Sequence, residues 1–105
     1  MKILFDQGTP VPLRRYLTGH SVHTAFERGW AQLQNGELLE VCEQEGFQIF
    51  ISTDQNLRYQ QNLSSRQLAI IILLSTSWPR IERRAEEILG VVGAIDPGEY
   101  REISI

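Results

Sequence analysis

Lysine is nearly absent from this sequence: nine of the ten basic residues are arginine and only Lys2 is lysine. Cysteine is limited to Cys42, which excludes an internal disulfide and a cysteine-built zinc cluster. Long apolar runs are missing too. The longest, Leu68 to Leu74, is seven residues, against the ~20 that a membrane helix needs. An excess of positive charge is likewise absent, with 10 basic against 13 acidic residues, net charge -3 and pI near 5.3. That balance excludes a basic nucleic-acid coat but leaves room for a local basic face. Met1-Lys2-Ile3-Leu4-Phe5-Asp6 meets an acid after three apolar residues, unlike a signal peptide. The expectation is an acidic, soluble, intracellular protein, cytoplasmic and without membrane contact.

What is present suits one domain over residues 1–105, since 42% of the chain is apolar, enough for a single core. Charge is spread evenly, with no linker, repeat or low-complexity tract. Three apolar runs read as strands: Ile3–Phe5, Phe47–Ile51 and Leu68–Leu74. The third is apolar on both alternating sets, as in a strand covered on both faces. Ser21–Ala25 reads as a short strand and Tyr100–Ile103 as an edge strand. Helical patterns fill the intervals. One opens after Thr9 with Pro10. A short one runs to Gly29, and a third is capped by Asn35 and stopped by Gly46. A long one, from Trp78-Pro79 to Gly93, carries Ile81, Ala85, Ile88, Leu89 and Val92 at helical spacing. Alternating strands and helices predict an α/β fold in three layers. Its central sheet has four to five mostly parallel strands, joined by right-handed crossovers.

Ligands of open α/β sheets bind beyond the carboxyl ends of the strands, near the switch in strand order. The first strand ends in Asp6, the second apolar run in Ser52-Thr53-Asp54-Gln55-Asn56, and the third in Ser75-Thr76-Ser77. If the first and third runs flank the switch point, carboxylates and hydroxyls converge on one crevice. Glu37, early in the helix leading into the second run, lies at the same rim. Crowded carboxylates repel unless neutralised, and a hard divalent cation such as Mg²⁺ or Mn²⁺ does so through oxygen ligands. Each acid also has a plain structural use. Asp54 can make an Asx turn, Glu37 can oppose its helix dipole and Asp6 can cap the next segment.

The order of these pieces resembles the PIN-like small predicted nucleases of bacteria over nearly the whole chain. The matching pieces are Ile3-Leu4-Phe5-Asp6, Leu17-Thr18-Gly19-His20-Ser21-Val22, Gly36-Glu37-Leu38-Leu39 and Ile51-Ser52-Thr53-Asp54-Gln55-Asn56-Leu57. The resemblance implies a flavodoxin-like fold and metal-dependent RNA cleavage, with Asp6, Glu37 and Asp54 as catalytic and Mg²⁺- or Mn²⁺-holding acids. It also implies the toxin of a toxin–antitoxin pair, silenced by a small antitoxin protein. Two positions depart from the family pattern, Asn35 and Asn56, where acids are usual. Asn56 still offers a carbonyl oxygen to the metal but no charge. Three carboxylates weaken divalent binding and leave a second ion short of ligands. An alternative is therefore a degenerate member that binds a protein, an antitoxin or a second copy, and cuts little or nothing.

Candidate substrate contacts are Arg14 and Arg58 for phosphate, Tyr59 for base stacking, and the amides of Gln7 and Gln55. The amide-rich segment Asn56–Asn62 follows Asp54 directly, and its plainer reading is a polar turn and short helix. His20 and His23 are expected to be structural or exposed, Cys42 a buried core thiol, and Trp30 and Trp78 packing residues. A receiver-type phosphoacceptor is disfavoured, because it needs a lysine beyond a later strand and Lys2 lies at the wrong end of the first.

Overall fold

The structure, a computed structural model, describes every residue except Gln61 and Ser64. The part of the amide-rich segment at Gln61 thus lies outside the described residues. Five strands form one sheet: β1 (Lys2–Phe5), β2 (Ser21–Thr24), β3 (Ile49–Ser52), β4 (Ala69–Leu73) and β5 (Tyr100–Ile103). The order is β2-β1-β3-β4-β5 and every pairing is parallel. This is the flavodoxin-like order, with its switch point at β1/β3. The third apolar run, β4, therefore lies one strand beyond the switch, and the second run, β3, takes the place expected for it. Phe5 pairs with Thr24 on one side and Ile51 on the other, which brings the ends of β1, β2 and β3 level.

Side chains alternate between two cores. Ile3, Phe5, Ile49, Ile51, Ile71 and Leu73 face one layer. Leu4, Phe50, Ile70 and Ile72 face the other. The first layer is covered by a 3-10 helix (Val11–Tyr16) and by α3 (Trp78–Arg83) and α4 (Ala85–Ala94), through Leu13, Ile81, Ile88 and Val92. The second is covered by α1 (Asn35–Gln44) and α2 (Leu57–Gln60), through Leu38, Leu39, Cys42 and Leu57. Each of these fully buried aliphatic side chains stabilises by roughly 1.5–3 kcal/mol relative to exposure. Among the described residues no helix is long and apolar enough to cross a membrane.

Four details differ from the sequence reading. Residues 25–29 form turns and no helix. Thr24 Oγ1 accepts the Glu27 N–H at 3.1 Å, and Gly29 then leaves the turn at φ 78°. Gln34, not Asn35, is the N-cap of α1, with Glu37 accepting its backbone N–H at 3.2 Å. The long helix breaks at Arg84 into α3 and α4. Finally, the crossovers do not share one sense. Those from β1, β2 and β3 agree, whereas β4 to β5 moves along the sheet in the same direction as β3 to β4 with its helices on the opposite face. Parallel crossovers are nearly always right-handed, so this last one is the exception. Its effect is to cover Ile49, Ile51, Ile71 and Leu73, which would otherwise face only the six-residue 3-10 helix.

A candidate site at the carboxyl end of the sheet

Asp6 leaves β1 and Ser52 ends β3, so the switch point sets the two side by side. Ser52 Oγ donates to Asp6 Oδ2 at 2.5 Å and accepts the Asp54 backbone N–H at 3.0 Å. One hydroxyl thereby ties both acids to the same strand end. Thr9 Oγ1 lies 2.7 Å from Asp6 Oδ1 and 2.9 Å from the Ile51 carbonyl, and its single proton serves one of them at a time. A proton on Asp6 would complete the chain from Asp6 through Thr9 to Ile51. Burial pushes the Asp6 carboxyl above its usual range, against the opposing pull of the Ser52 and Thr9 hydroxyls. Ser52 and Thr9 are themselves buried, at 1% and 3% exposure, as polar groups are when fully hydrogen-bonded. The loops after β1 and β3 meet where Thr53 Oγ1 donates to the Gly8 carbonyl at 3.2 Å. A Cβ at Gly8 would stand 2.7 Å from that hydroxyl, so a larger residue there would displace the Thr53 side chain.

Asp54 is held from outside. Its Oδ1 accepts the Asn56 N–H at 3.0 Å, the Asx turn its sequence suggested, and its Oδ2 accepts Asn35 Nδ2 at 3.1 Å. Asn35 reaches Asp54 because α1 runs antiparallel to β3 and starts at the same edge. The amide at position 35 gives Asp54 a hydrogen-bond donor at this edge. Glu37 is exposed and occupied by its helix cap. Among the described residues no group of three His, Cys, Asp or Glu side chains is gathered as for a metal ion.

The remaining candidates are placed as follows. Gln7 is exposed and borders a small cleft beside Asp6, while Gln55 and the Asn56 side chain are exposed in the turn after β3. Arg14 is engaged by Glu27 at 2.6 Å, which holds that carboxyl below its usual range. Arg58 pairs with Glu102 at 3.6 Å and donates to the Tyr59 hydroxyl at 2.6 Å. Tyr59 is 72% exposed. By contrast, neither Asp6 nor Asp54 has a cationic partner among the described residues.

Ser52, Thr9 and Gly8 did not emerge from the sequence as site residues. The available signal was a hydroxyl residue closing an otherwise apolar strand, but its value depends on β1 and β3 being neighbours. Cys42 is buried, with its thiol pushed up to about 12 by burial, which removes it as a nucleophile. Trp78 packs on Tyr16 and Trp30 on Phe47. Ser75 spends its hydroxyl on the Ser77 N–H at 3.0 Å.

The donor set brought together at this strand end is all oxygen: the carboxylates of Asp6 and Asp54 and the hydroxyls of Ser52 and Thr9. That fits one hard cation keeping most of its water, and does not fit a fully protein-caged one. The fit rests on two acids held by neutral donors with no positive side chain against them.

No family model, curated protein or solved structure matches the chain.

Proposed function

We propose that the chain is a PIN-like hydrolase of RNA phosphodiesters, dependent on one Mg²⁺ or Mn²⁺ held by Asp6 and Asp54. The observation that carries this reading is the pair of un-neutralised carboxylates joined through Ser52 at the switch point. Ser52 and Thr9 fix the Asp6 carboxylate, while Asn35 and the Asn56 N–H fix Asp54. Asn56 adds a neutral carbonyl oxygen. When bound, a divalent ion would offset both charges and lower the pKa of a coordinated water. Glu37 remains a helix cap in this proposal. The setting we propose is cytoplasmic, with the protein a toxin silenced by a small antitoxin.

A second reading is favoured by a specific observation. Position 35 bears an amide already bonded to Asp54, and Glu37 is occupied in its cap. That chain would be a protein-binding module with little nuclease activity, its partner an antitoxin or a second copy.

One experiment separates the two. Purified protein is titrated calorimetrically with Mn²⁺ and incubated with single-stranded RNA in Mg²⁺ or Mn²⁺. The nuclease reading expects metal-dependent cutting that a chelator stops and that Asp6→Ala removes. Absence of both metal binding and cutting would overturn the nuclease reading.

A further inference from the structure

Beside Asp6, between the loop after β1 and the start of α1, lies a cleft of about 130 Å³. It is lined by Asp6, Gln7, Ala25, Trp30, Leu33 and Asn35. The volume is well below the ~300 Å³ at which drug-sized pockets begin, so one ring system fits and a larger molecule does not. The walls are apolar on one side, from Ala25, Trp30 and Leu33. Polar groups stand at the other, those of Asn35 and Gln7. Asn35 spends its Nδ2 on Asp54 and keeps its carbonyl oxygen available. The Gln7 amide is exposed and has no hydrogen-bond partner among the described residues, and the indole N–H of the partly buried Trp30 has none either.

Trp30 is held in place rather than loose. Its ring meets Phe47 edge-on at 5.9 Å between centroids, and the Arg28 guanidinium lies 4.8 Å above it. The Trp30 backbone is fixed as well, its N–H donating to the Ala25 carbonyl at 2.8 Å. The one charge in the lining is the carboxylate of Asp6, which repels an anion. A flat, neutral ligand with edge donors and acceptors meets these conditions, and a phosphate does not.

We propose that this cleft is a subsite for one unpaired nucleobase, seated next to the phosphodiester that the cation proposed at Asp6 and Asp54 would hold. The inference rests on the reading of the chain as acting on nucleic acid. The apolar wall of Ala25, Trp30 and Leu33 lies against one face of the base, while Asn35 and Gln7 address its edge, as in recognition of splayed-out single-stranded bases.

The test needs neither metal nor cleavage. Full-length ¹⁵N-labelled protein, free of divalent ions, is titrated with adenosine, uridine and ribose while the two indole N–H resonances are followed. Trp78→Phe assigns them. The Trp30 signal is expected to shift saturably with either nucleoside, in the millimolar range suited to a fragment-sized ligand, and to ignore ribose. Ala31→Phe, which fills the cleft from its lining, should abolish the shift while the rest of the spectrum stays folded. Should that variant misfold, Asn35→Ala should weaken nucleoside binding with Trp30 still reporting. Equal responses to ribose, equal movement of Trp78, or full binding by the filled variant would overturn the subsite. RNA cutting without nucleoside binding sinks the subsite alone, and nucleoside binding without cutting sinks the nuclease reading alone.

Discussion

Two groups of acids, one at each end of the sheet, are held in opposite ways, whereas Glu27 after β2 is paired with Arg14. At the amino end, Arg66 lies 3.3 Å from both Glu40 and Glu43, and Arg28 lies 2.9 Å from Glu45. Lys2 stands 4.4 Å over the Phe47 ring. The larger cavity, about 370 Å³, opens there against Ile49, Leu68, Ala69 and Ile95, and its one carboxylate is the already paired Glu43. At the carboxyl end, Asp6 and Asp54 are held by hydroxyls, an amide and backbone N–H groups, none of them charged. Acids paired with arginine have their charge answered inside the fold. Acids fixed by neutral donors have their geometry set and their charge left over, which is the state that invites a cation. The difference, more than cavity size, is why the smaller cleft marks the candidate site.

The largest effect tests that leftover charge directly. Asp6→Asn should eliminate cleavage, a loss beyond the ~10–100-fold that removing an outer-shell partner of a metal costs. The same substitution should raise stability at neutral pH. Because burial lifts the Asp6 carboxyl above its ordinary value of 3.8, the folded chain keeps a proton where the unfolded chain has lost it. Stability therefore falls as pH rises through the lifted value. Asparagine has no charge to bury, so thermal melts in metal-free buffer should place Asp6→Asn a few degrees above wild type at pH 7. The gap should close below pH 3.8. A variant less stable at neutral pH would mean that Asp6 is a structural acid like those at the other end.

Next comes Asn56, an uncharged residue in the turn after β3. Asn56→Asp adds a carboxylate one turn from Asp54, and divalent affinity rises with the number of charged ligands. Calorimetry with Mn²⁺ should show about a tenfold or greater gain, with cleavage rising alongside. No gain would place the Asn56 side chain outside the metal's reach.

How far the sequence revealed this arrangement depended on whether a residue's role was local. Asp6 and Asp54 were accessible because each ends a strand and strand ends meet at one edge. The core position of Ile70–Leu73 followed from its apolar character on both alternating sets. Strand adjacency was not accessible in the same way. Both Phe47–Ile51 and Leu68–Leu74 qualify as buried neighbours of β1, and only the crossovers decide between them. The partnership of Ser52 with Asp6, 46 positions apart, hangs on that decision. The break at Arg84 has no proline or glycine to announce it. Asn35 was legible as a helix-start residue, but its bond to Asp54 depends on packing α1 beside β3.

At the amino end the expected effect is smaller and confined to stability. Arg66→Met keeps much of the side chain's apolar length and leaves Glu40 and Glu43 without their shared partner. Arg66 is 17% exposed against 60% for Glu40 and 29% for Glu43, and for such partly exposed pairs a loss of about 1 kcal/mol in denaturant unfolding is expected. Cleavage and Mn²⁺ affinity should not change. A change in either would show that the two ends communicate, and the division drawn between them would fail.

The smallest effect addresses the one acid that could belong to either class. Glu37 stands at the carboxyl end yet behaves in the structure like a helix-capping residue, accepting the Gln34 N–H at 3.2 Å. Glutamine retains the carbonyl oxygen that such a cap needs. Glu37→Gln should therefore cost at most ~0.5 kcal/mol through the lost charge–dipole attraction, with Mn²⁺ affinity unaltered. A carboxylate serving the metal would respond the other way round, with affinity falling severalfold and stability in metal-free buffer nearly unmoved. Measuring both quantities on this one variant decides whether the site holds two acids or three, because capping needs only an acceptor whereas offsetting a cation needs the charge.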